Sequence, residues 1–332
     1  MATSNDVNRI VFWGPSRSGK TWLFKAFLKK IQLLNDKLTG DGFEIKAQEK
    51  TTNGVWEDVR NIDGLTHEPT QGLTETLYRI VKKKPLLPIN GTTNQNLRFL
   101  SDRVNIQSHE VLLIDNAGGL FQRGNRGTIN QNQVDQALAK VHNASYIILA
   151  LNSGDTTTGQ GSLAEDLREL SGILQGTRGK RIAACITKVD ELGQSLIISL
   201  YNRNKDELQG LLARSFGRQY AEQIKAEINV LSRNHEVELF ATSSSGYYDE
   251  NGKKVKNINS TGYELASVPQ WNPEEVEKPF FWLFGQIERE RLAYLDKDDK
   301  VFSFLMQKHN ILAARKEAYV SYEQLIRLAE TK

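Results

Sequence analysis

The sequence predicts an α/β fold with a doubly wound, mostly parallel β-sheet, and three observations support this prediction. Apolar runs of strand length recur along the chain and are continuous rather than alternating, as expected of strands covered on both faces. Helical patterns fill most of the gaps between these runs. The 332 residues are 39% hydrophobic and 25% charged, a composition that supports a full core and excludes a disordered chain.

The predicted elements follow one another in a regular order. We expect strands at the apolar runs 9–13, 110–114, 145–151, 181–186 and 237–241. We expect helices where apolar residues recur at helical spacing, at 21–38, 134–142 and 163–175. Strands that alternate with helices in this way are typical of a parallel sheet with helices on its faces.

Other stretches add to this minimal plan. Residues 40–108 are long and polar, with one alternating, strand-like run at 74–81. Apolar residues at helical spacing in 192–232 predict a helical insert, and those after Pro279 predict two C-terminal helices. Between them, residues 246–273 are rich in Gly, Asn and Ser, which predicts a surface loop.

A glycine-rich motif lies at the junction of the first predicted strand and the first predicted helix. Gly14-Pro-Ser-Arg-Ser-Gly-Lys-Thr21 matches G-x-x-x-x-G-K-[ST], and its glycines let backbone N–H groups surround phosphate oxygens beside a helix N-terminus. Lys20 would reach the β- and γ-phosphates, and the Thr21 hydroxyl would coordinate Mg²⁺. The predicted nucleotide-binding residues of this loop are Gly14, Ser16, Arg17, Ser18, Gly19, Lys20, Thr21 and Trp22.

Two further motifs follow predicted strands. Asp115 directly follows the run 110–114 and precedes Gly118 by three residues, so the acid can hold Mg²⁺ and the Gly118 N–H can contact a γ-phosphate. In Thr187-Lys188-Val-Asp190, the carboxylate can accept hydrogen bonds from N1–H and the N2 amino group of guanine, whereas adenine has no donors there. The Lys188 stem can lie along the base. After the next strand, a backbone N–H near Ser243 and Ser244 would contact the guanine O6.

In this order, GPSRSGKT, DNAG, TKVD and ATSSS resemble the P-loop GTPases of the translation-factor-like and Ras-like (TRAFAC) class. The resemblance covers about residues 8–248 and implies a P-loop NTPase fold, a three-layer αβα sandwich. His67-Glu-Pro-Thr-Gln-Gly resembles the switch I segment of the Arf-like members, which implies that Thr70 binds Mg²⁺ in the triphosphate state. Thr93 is the alternative switch threonine. Residues 276–284 show a weaker likeness to the last helix of bacterial double-GTPase-like proteins.

The resemblance implies a molecular switch that hydrolyses Mg²⁺-GTP to GDP and phosphate and is read by an effector or regulator protein. Its catalytic residues would be Lys20, Thr70 and Gly118, and its metal ligands Thr21, Thr70 and Asp115. Many members carry a water-orienting glutamine where this chain has Gly119, with Gln122 three residues further on. The alternatives are therefore a nucleotide-loaded scaffold with negligible hydrolysis and a P-loop ATPase in which T-K-V-D is accidental.

The domain boundaries follow from the same motifs. We expect a GTPase domain at 8–248, with an enlarged switch region at 40–108 and a helical insert at 192–232. Residues 249–332 are expected to form a loop and a helical C-terminal extension that packs on or beside that domain.

Composition excludes several other classes of protein. A net charge of +3 argues against nucleic acid as the main partner, and no apolar run is long enough for a membrane span. The five histidines have no metal-ligand spacing. One cysteine, Cys185, and a start that does not look like a signal peptide predict a cytoplasmic protein, with its oligomeric state open.

Overall fold

Ten strands and five helices can be described in the computed structural model. It describes residues 9–14, 18–38, 45–59, 73–82, 108–116, 131–152, 163–192, 218–251, 253–257, 265–267 and 270–298. The strands are β1 (Ile10–Trp13), β2 (Ile45–Lys50), β3 (Trp56–Asp58), β4 (Leu73–Lys82), β5 (Ser108–Asn116), β6 (Tyr146–Asn152), β7 (Arg181–Thr187), β8 (Glu236–Ala241), β9 (Tyr247–Glu250) and β10 (Lys253–Lys256). The helices are α1 (Lys20–Leu38), α2 (Gln131–Asn143), α3 (Leu163–Ile173), α4 (Arg218–Ser232) and α5 (Lys278–Asp298).

Eight of the strands form one sheet, in the order β3-β2-β4-β5-β1-β6-β7-β8. The five strands from β5 to β8 in this order are parallel, with Phe12 of β1 opposite Leu113 of β5 and Ile148 of β6. β4, β2 and β3 extend the sheet with antiparallel pairing. The carboxyl ends of β1, β5, β6, β7 and β8 therefore lie along one edge, where open α/β sheets bind ligands.

Helices cover both faces of this sheet, so the protein has three layers. Ile10 and Phe12 of β1 face α1 and α5, while Val11 and Trp13 face α2, α3 and α4. All four side chains are at most 4% exposed, which explains why the run is continuously apolar. The predicted fold class, an α/β P-loop NTPase fold with a mostly parallel sheet, is confirmed.

Helix α5 belongs to the core that covers β1. Its aromatic residues pack on α1, with the rings of Phe27 and Phe280 stacked at a centroid distance of 3.8 Å. Phe280 also meets Phe12 of β1 edge to face. The apolar stripe predicted after Pro279 is therefore one side of a helix that is buried against the sheet layer.

The structure adds strands where the sequence predicted polar stretches. Within 40–108, β2 and β3 form an antiparallel pair beside β4, and β4 covers the predicted strand-like run. Within 246–273, β9 and β10 form a hairpin, and Trp271 is only 3% exposed. The surface-loop expectation for 246–273 therefore does not hold at these positions.

Cys185 lies in the middle of β7 and is completely buried. Burial raises the pKa of its thiol, as expected for a small apolar side chain in a core strand.

Candidate functional site

The glycine-rich loop connects β1 directly to α1. Its first glycine, Gly14, allows no side chain, because a Cβ there would lie 2.5 Å from the carbonyl oxygen of Ala150. Gly19 has a φ of +82°, a conformation that favours glycine. Residues 15–17, which include the predicted ligands Ser16 and Arg17, lie outside the described residues.

Lys20 begins α1 and turns its side chain back toward the loop. Its Nζ donates a hydrogen bond to the carbonyl oxygen of Gly14 over 2.9 Å, and the residue is 3% exposed. The ammonium group is thus held at the mouth of the loop, beside the helix N-terminus. Its charge and the partial positive charge of the helix N-terminus both favour an anion there.

The Ser18 hydroxyl lies in the same cradle. Ser18 is completely buried, and its Oγ has no hydrogen-bond partner within the described part of the chain. A buried hydroxyl without a partner costs about 1–3 kcal/mol. The arrangement of Gly14, Ser18 and Lys20 therefore fits a bound phosphate group.

Thr187 joins this loop to the neighbouring strands. Its Oγ1 lies 2.6 Å from the carbonyl oxygen of Ser18 and 3.0 Å from that of Leu151, and the residue is completely buried. The next residue, Lys188, has a φ of 57°, and its Cε lies 3.9 Å from where a Cβ on Gly19 would be. The Thr187-Lys188 pair thus lies against the phosphate loop.

Asp190 lies in a short 3-10 turn, Val189–Leu192, that follows β7. Its Oδ1 accepts a hydrogen bond from the Ser243 hydroxyl and its Oδ2 one from the Ser245 hydroxyl, both at 2.9 Å. The carboxylate is 6% exposed. Because each carboxylate oxygen has two lone pairs, each can accept one more hydrogen bond from a ligand. The geometry holds two parallel acceptors in a fixed orientation.

Residues 242–246, the base loop, follow β8 and complete this part of the site. The Thr242 N–H donates to the carbonyl oxygen of Ile186 over 2.8 Å, and the Val189 N–H donates to that of Thr242 over 3.3 Å. Gly246 has a φ of +67°, and a Cβ there would lie 2.0 Å from the carbonyl oxygen of Asn272. The base loop is therefore held between β7 and the segment around Asn272.

A magnesium ion would need oxygen ligands at the same sheet edge. Thr21 is the second residue of α1, and Asp115 is the second-last residue of β5, the strand beside β1. A hydroxyl and a carboxylate are the hard oxygen donors that Mg²⁺ prefers. The chemistry of this donor set fits the ion. The described residues contain no cluster of three or more His, Cys, Asp or Glu side chains able to hold a metal by themselves.

The predicted site residues thus fall into two described groups and one group outside the description. The first group consists of four residues of the phosphate loop and two that lie against it: Gly14, Ser18, Gly19, Lys20, Thr187 and Lys188. The second group consists of Asp190, Ser243 and Ser244. Trp22 packs edge to face on Trp271, with ring centroids 6.1 Å apart. The predicted switch residues Thr70, Thr93, Gly118, Gly119 and Gln122 lie outside the described residues.

Two residues of the site were missed by the sequence analysis. Ser245 was part of the recognised ATSSS run, and its position two residues after Ser243 is the signal that it could share the carboxylate. Trp271 donates from its indole Nε1 to the Ser244 carbonyl oxygen over 2.8 Å. No sequence pattern points to this contact, because 27 residues separate its partners.

A second buried carboxyl group has a different environment from that of Asp190. Glu277, just before α5, is 2% exposed, and its Oε2 has no hydrogen-bond partner among the described residues. Burial raises its pKa above the ordinary value, although Lys30 and the residue's own N–H act in the opposite direction. The position of Glu277 favours a protonated, uncharged side chain.

Comparisons with known proteins give similarity to solved structures alone. No protein-family model and no curated protein matches the chain. A GTP-binding protein from the archaeon Sulfolobus solfataricus, in complex with GDP, is 17% identical over 72% of this chain and 47% of that chain, with a TM-score of 0.27. This chain thus spans about half the length of the archaeal protein.

Two further structures are similar at the same level. The signal recognition particle receptor SRb-GTP/SRX complex from Chaetomium thermophilum is 16% identical over 74% of this chain and 94% of that chain, with a TM-score of 0.33. A nucleolar GTP-binding protein 1 from Plasmodium falciparum is 11% identical over 95% of this chain and 98% of that chain, with a TM-score of 0.31.

Among the described helices, none combines the length and the apolar character needed to cross a membrane.

Proposed function

We propose that this protein binds Mg²⁺-GTP, hydrolyses it to GDP and phosphate, and acts as a molecular switch for a protein partner. One observation carries the proposal: the Asp190 carboxylate, fixed by two serine hydroxyls, lies at the same sheet edge as the phosphate cradle and Lys20. Thr187 connects the two parts through its contact with the Ser18 carbonyl oxygen.

The base preference follows from the hydrogen-bond inventory of Asp190. A carboxylate only accepts hydrogen bonds. Guanine offers N1–H and the N2 amino group side by side, whereas adenine has no donors at these positions. Adenine would not supply the further hydrogen bond that each buried carboxylate oxygen can accept, at a cost of about 1–3 kcal/mol, which corresponds to roughly tenfold to 100-fold weaker binding.

The proposed phosphate chemistry depends on positioning and charge. Lys20 and the loop N–H groups would stabilise charge on the β- and γ-phosphates while a water attacks the γ-phosphorus in line. Thr21, Thr70 and Asp115 would hold Mg²⁺, which neutralises phosphate charge when bound. The Gly118 N–H would donate to the γ-phosphate, so residues 118–127 and those near Thr70 would respond to its loss.

Strand pairing favours Thr70 over Thr93 as the switch threonine. β4 begins at Leu73, three residues after Thr70, and Leu73 pairs with Asn116, the neighbour of Asp115. Thr93 precedes the start of β5 by 15 residues. We therefore assign the metal-binding role to Thr70.

The second candidate function is a nucleotide-loaded scaffold with negligible turnover. The observation that favours it is Gly119, which stands where many similar GTPases carry a glutamine that orients the attacking water. In either case, we propose that a protein partner reads the segments near Thr70 and 118–127. The single cysteine favours the cytoplasm as the location.

Calorimetric titration of the nucleotide-stripped full chain with GTP, GDP and ATP, each with Mg²⁺, tests the proposal. Tight binding of both guanine nucleotides and at least about tenfold weaker binding of ATP is expected. Equal binding of GTP and ATP would replace the GTPase assignment by a P-loop ATPase. Phosphate release from Mg²⁺-GTP then distinguishes the hydrolysing switch from the nucleotide-loaded scaffold, because the scaffold would release no phosphate over hours.

A further inference from the structure

We propose that Trp271 is a positioning residue that fixes two backbone amides of the base loop for recognition of the guanine O6 atom. The segment 271–274, the strap, lies against the base loop and carries this residue. The inference rests on the proposed binding of a guanine nucleotide, and it names the residue that positions the amides expected to contact O6.

The strap holds both peptide groups that flank Ser244. The Glu274 N–H donates to the carbonyl oxygen of Ser243 over 2.9 Å, and the Ser243 N–H donates to that of Glu274 over 3.0 Å. The Trp271 indole N–H donates to the carbonyl oxygen of Ser244 over 2.8 Å. The peptide groups 243–244 and 244–245 therefore both direct their carbonyl oxygens to the strap.

Peptide planarity then fixes the direction of two N–H groups. In a trans peptide the N–H points opposite to the C=O, and the described backbone contains no cis peptide bond. The N–H groups of Ser244 and Ser245 consequently point away from the strap. Within the described part of the chain, neither N–H donates to another residue. Two neighbouring donors of this kind match the two lone pairs of one carbonyl oxygen.

The same stretch supplies both sides of the base contact. The hydroxyls of Ser243 and Ser245 fix the Asp190 carboxylate, which would read N1–H and N2. The amides of Ser244 and Ser245 would read O6. Guanine presents O6 next to N1–H. The O6 acceptor would meet the two amide donors, and the N1–H donor would meet the Asp190 carboxylate.

The strap itself is firmly attached to the helix that begins at the phosphate loop. The Trp271 ring meets Trp22 of α1 edge to face at 6.1 Å, and Lys29 Nζ lies 5.9 Å from the Trp271 ring centroid. Lys30 Nζ donates to the carbonyl oxygen of Pro273 over 3.2 Å. Trp271 is thus fixed before a ligand binds, and its indole N–H can hold the Ser244 carbonyl in place.

The test is Trp271→Phe, which keeps an aromatic ring against Trp22 but removes the indole donor. We measure dissociation constants of the full chain for GTP, inosine triphosphate and 6-thioguanosine triphosphate. Inosine keeps O6 and lacks the 2-amino group, whereas the thio analogue replaces O6 by sulfur, a weak acceptor. Affinity for GTP and for inosine triphosphate should fall about fivefold to tenfold, and affinity for the thio analogue less than about twofold.

Trp282→Phe is the matched control. It is the same substitution in α5, where the Trp282 ring packs on Phe240 of β8 at 6.0 Å. It should leave the ratios among the three nucleotides unchanged. A Trp271→Phe variant that weakens all three nucleotides equally, or none of them, would overturn the inference while GTP selectivity of the wild type keeps the proposed function intact.

A measurement on the wild-type protein covers the case in which Trp271→Phe does not fold. GTP should slow hydrogen exchange at the amides of Ser244 and Ser245 more than the thio analogue does. Equal exchange with both nucleotides would overturn the role of these amides. If the wild type shows no preference for GTP over ATP, the proposed function fails first, and this inference fails with it.

Discussion

The hydroxyl of Thr187 lies 2.6 Å from the carbonyl oxygen of Ser18, which ties the end of β7 to the phosphate loop. The same hydroxyl lies 3.0 Å from the carbonyl oxygen of Leu151 at the end of β6. A hydroxyl donates one hydrogen at a time, so the two carbonyl groups share it. Thr187 therefore holds the phosphate loop in register with the two strands that follow β1 in the sheet.

Thr187→Val should loosen the phosphate loop without changing the shape of the side chain. Valine cannot donate a hydrogen bond to the Ser18 carbonyl oxygen. This loss should destabilise the fold by about 1–3 kcal/mol. Affinity for GTP should fall severalfold, and the preference for guanine over adenine should stay the same. Thermal unfolding and calorimetric titration check both parts.

Thr177→Val is the control for that substitution. The Thr177 hydroxyl donates to the carbonyl oxygen of Leu174 over 2.7 Å, after the end of α3. It should lower the stability in a similar way and leave nucleotide affinity unchanged. Wild-type affinity in Thr187→Val would show that the bond to Ser18 does not support the loop.

Lys20→Ala should abolish binding of nucleoside triphosphates. The substitution removes the positive charge at the loop together with the hydrogen bond to Gly14. Charge-assisted hydrogen bonds contribute about 1.5–3 kcal/mol each, so contacts with two phosphates correspond to about 100-fold or more in affinity. Lys225→Ala, at an exposed position on α4, should bind as the wild type does. Normal GTP binding by Lys20→Ala would contradict the phosphate assignment.

Asp190→Asn should change the preferred base from guanine to xanthine. An amide N–H₂ would face the amino group of guanine but would match the second carbonyl oxygen of xanthine. Affinity for GTP should fall about tenfold to 100-fold, while xanthosine triphosphate should bind more tightly than it does to the wild type. Competition between the two nucleotides measures the change, and Asp58→Asn on β3 provides a variant far from the site. An unchanged base preference would remove Asp190 from base recognition.

Glu277→Gln should stabilise the protein, and more so as the pH rises. The pKa of Glu277 is raised in the folded protein, so its favourable contribution is complete below the pKa of the unfolded chain. That contribution is lost as the pH rises through the raised pKa, because the buried group must then ionise or the chain unfold. Glutamine avoids this loss. Melting temperatures at a series of pH values from about 4 to 8 should diverge in favour of the variant.

Glu275→Gln separates this effect from simple removal of a charge. The Glu275 side chain is 27% exposed and forms an ion pair with Lys278 at 2.8 Å. Its substitution should leave the protein no more stable than the wild type at neutral pH. If Glu277→Gln lowers the melting temperature at pH 8, the buried carboxyl is ionised and usefully paired, contrary to our interpretation.

The sequence was sufficient for the parallel half of the sheet and for the order of its motifs. The side chains from Ile10 to Trp13 lie alternately on two buried faces of the sheet, so the unbroken apolar run was enough to predict a strand covered on both faces. The antiparallel half was harder, because β2 reads Ile-Lys-Ala-Gln-Glu-Lys and contains few apolar residues. It forms because β4 presents a long edge, with five residue pairs between Ile45 and Glu49.

The residues of the candidate site likewise divide into those that a local motif indicates and those that only the folded structure reveals. The motifs G-x-x-x-x-G-K-[ST] and T-K-x-D indicated Lys20 and Asp190, since each motif follows a predicted strand. The two hydroxyls that fix Asp190 reach it across 53 and 55 residues, and the indole that fixes Ser244 reaches it across 27 residues. Such contacts are made by tertiary packing, which a local pattern does not contain. The phenylalanine stripe of α5 was visible, but its burial against α1 was not.

The burial of Cys185 makes the protein suitable for site-directed labelling. It is the one cysteine in the sequence, it is completely buried in β7, and its raised pKa keeps the thiol protonated at neutral pH. Maleimide reagents should therefore leave the folded wild-type chain unmodified. A cysteine introduced at an exposed position, such as Glu222 on α4, would carry a fluorophore or spin label alone, without prior removal of the native thiol.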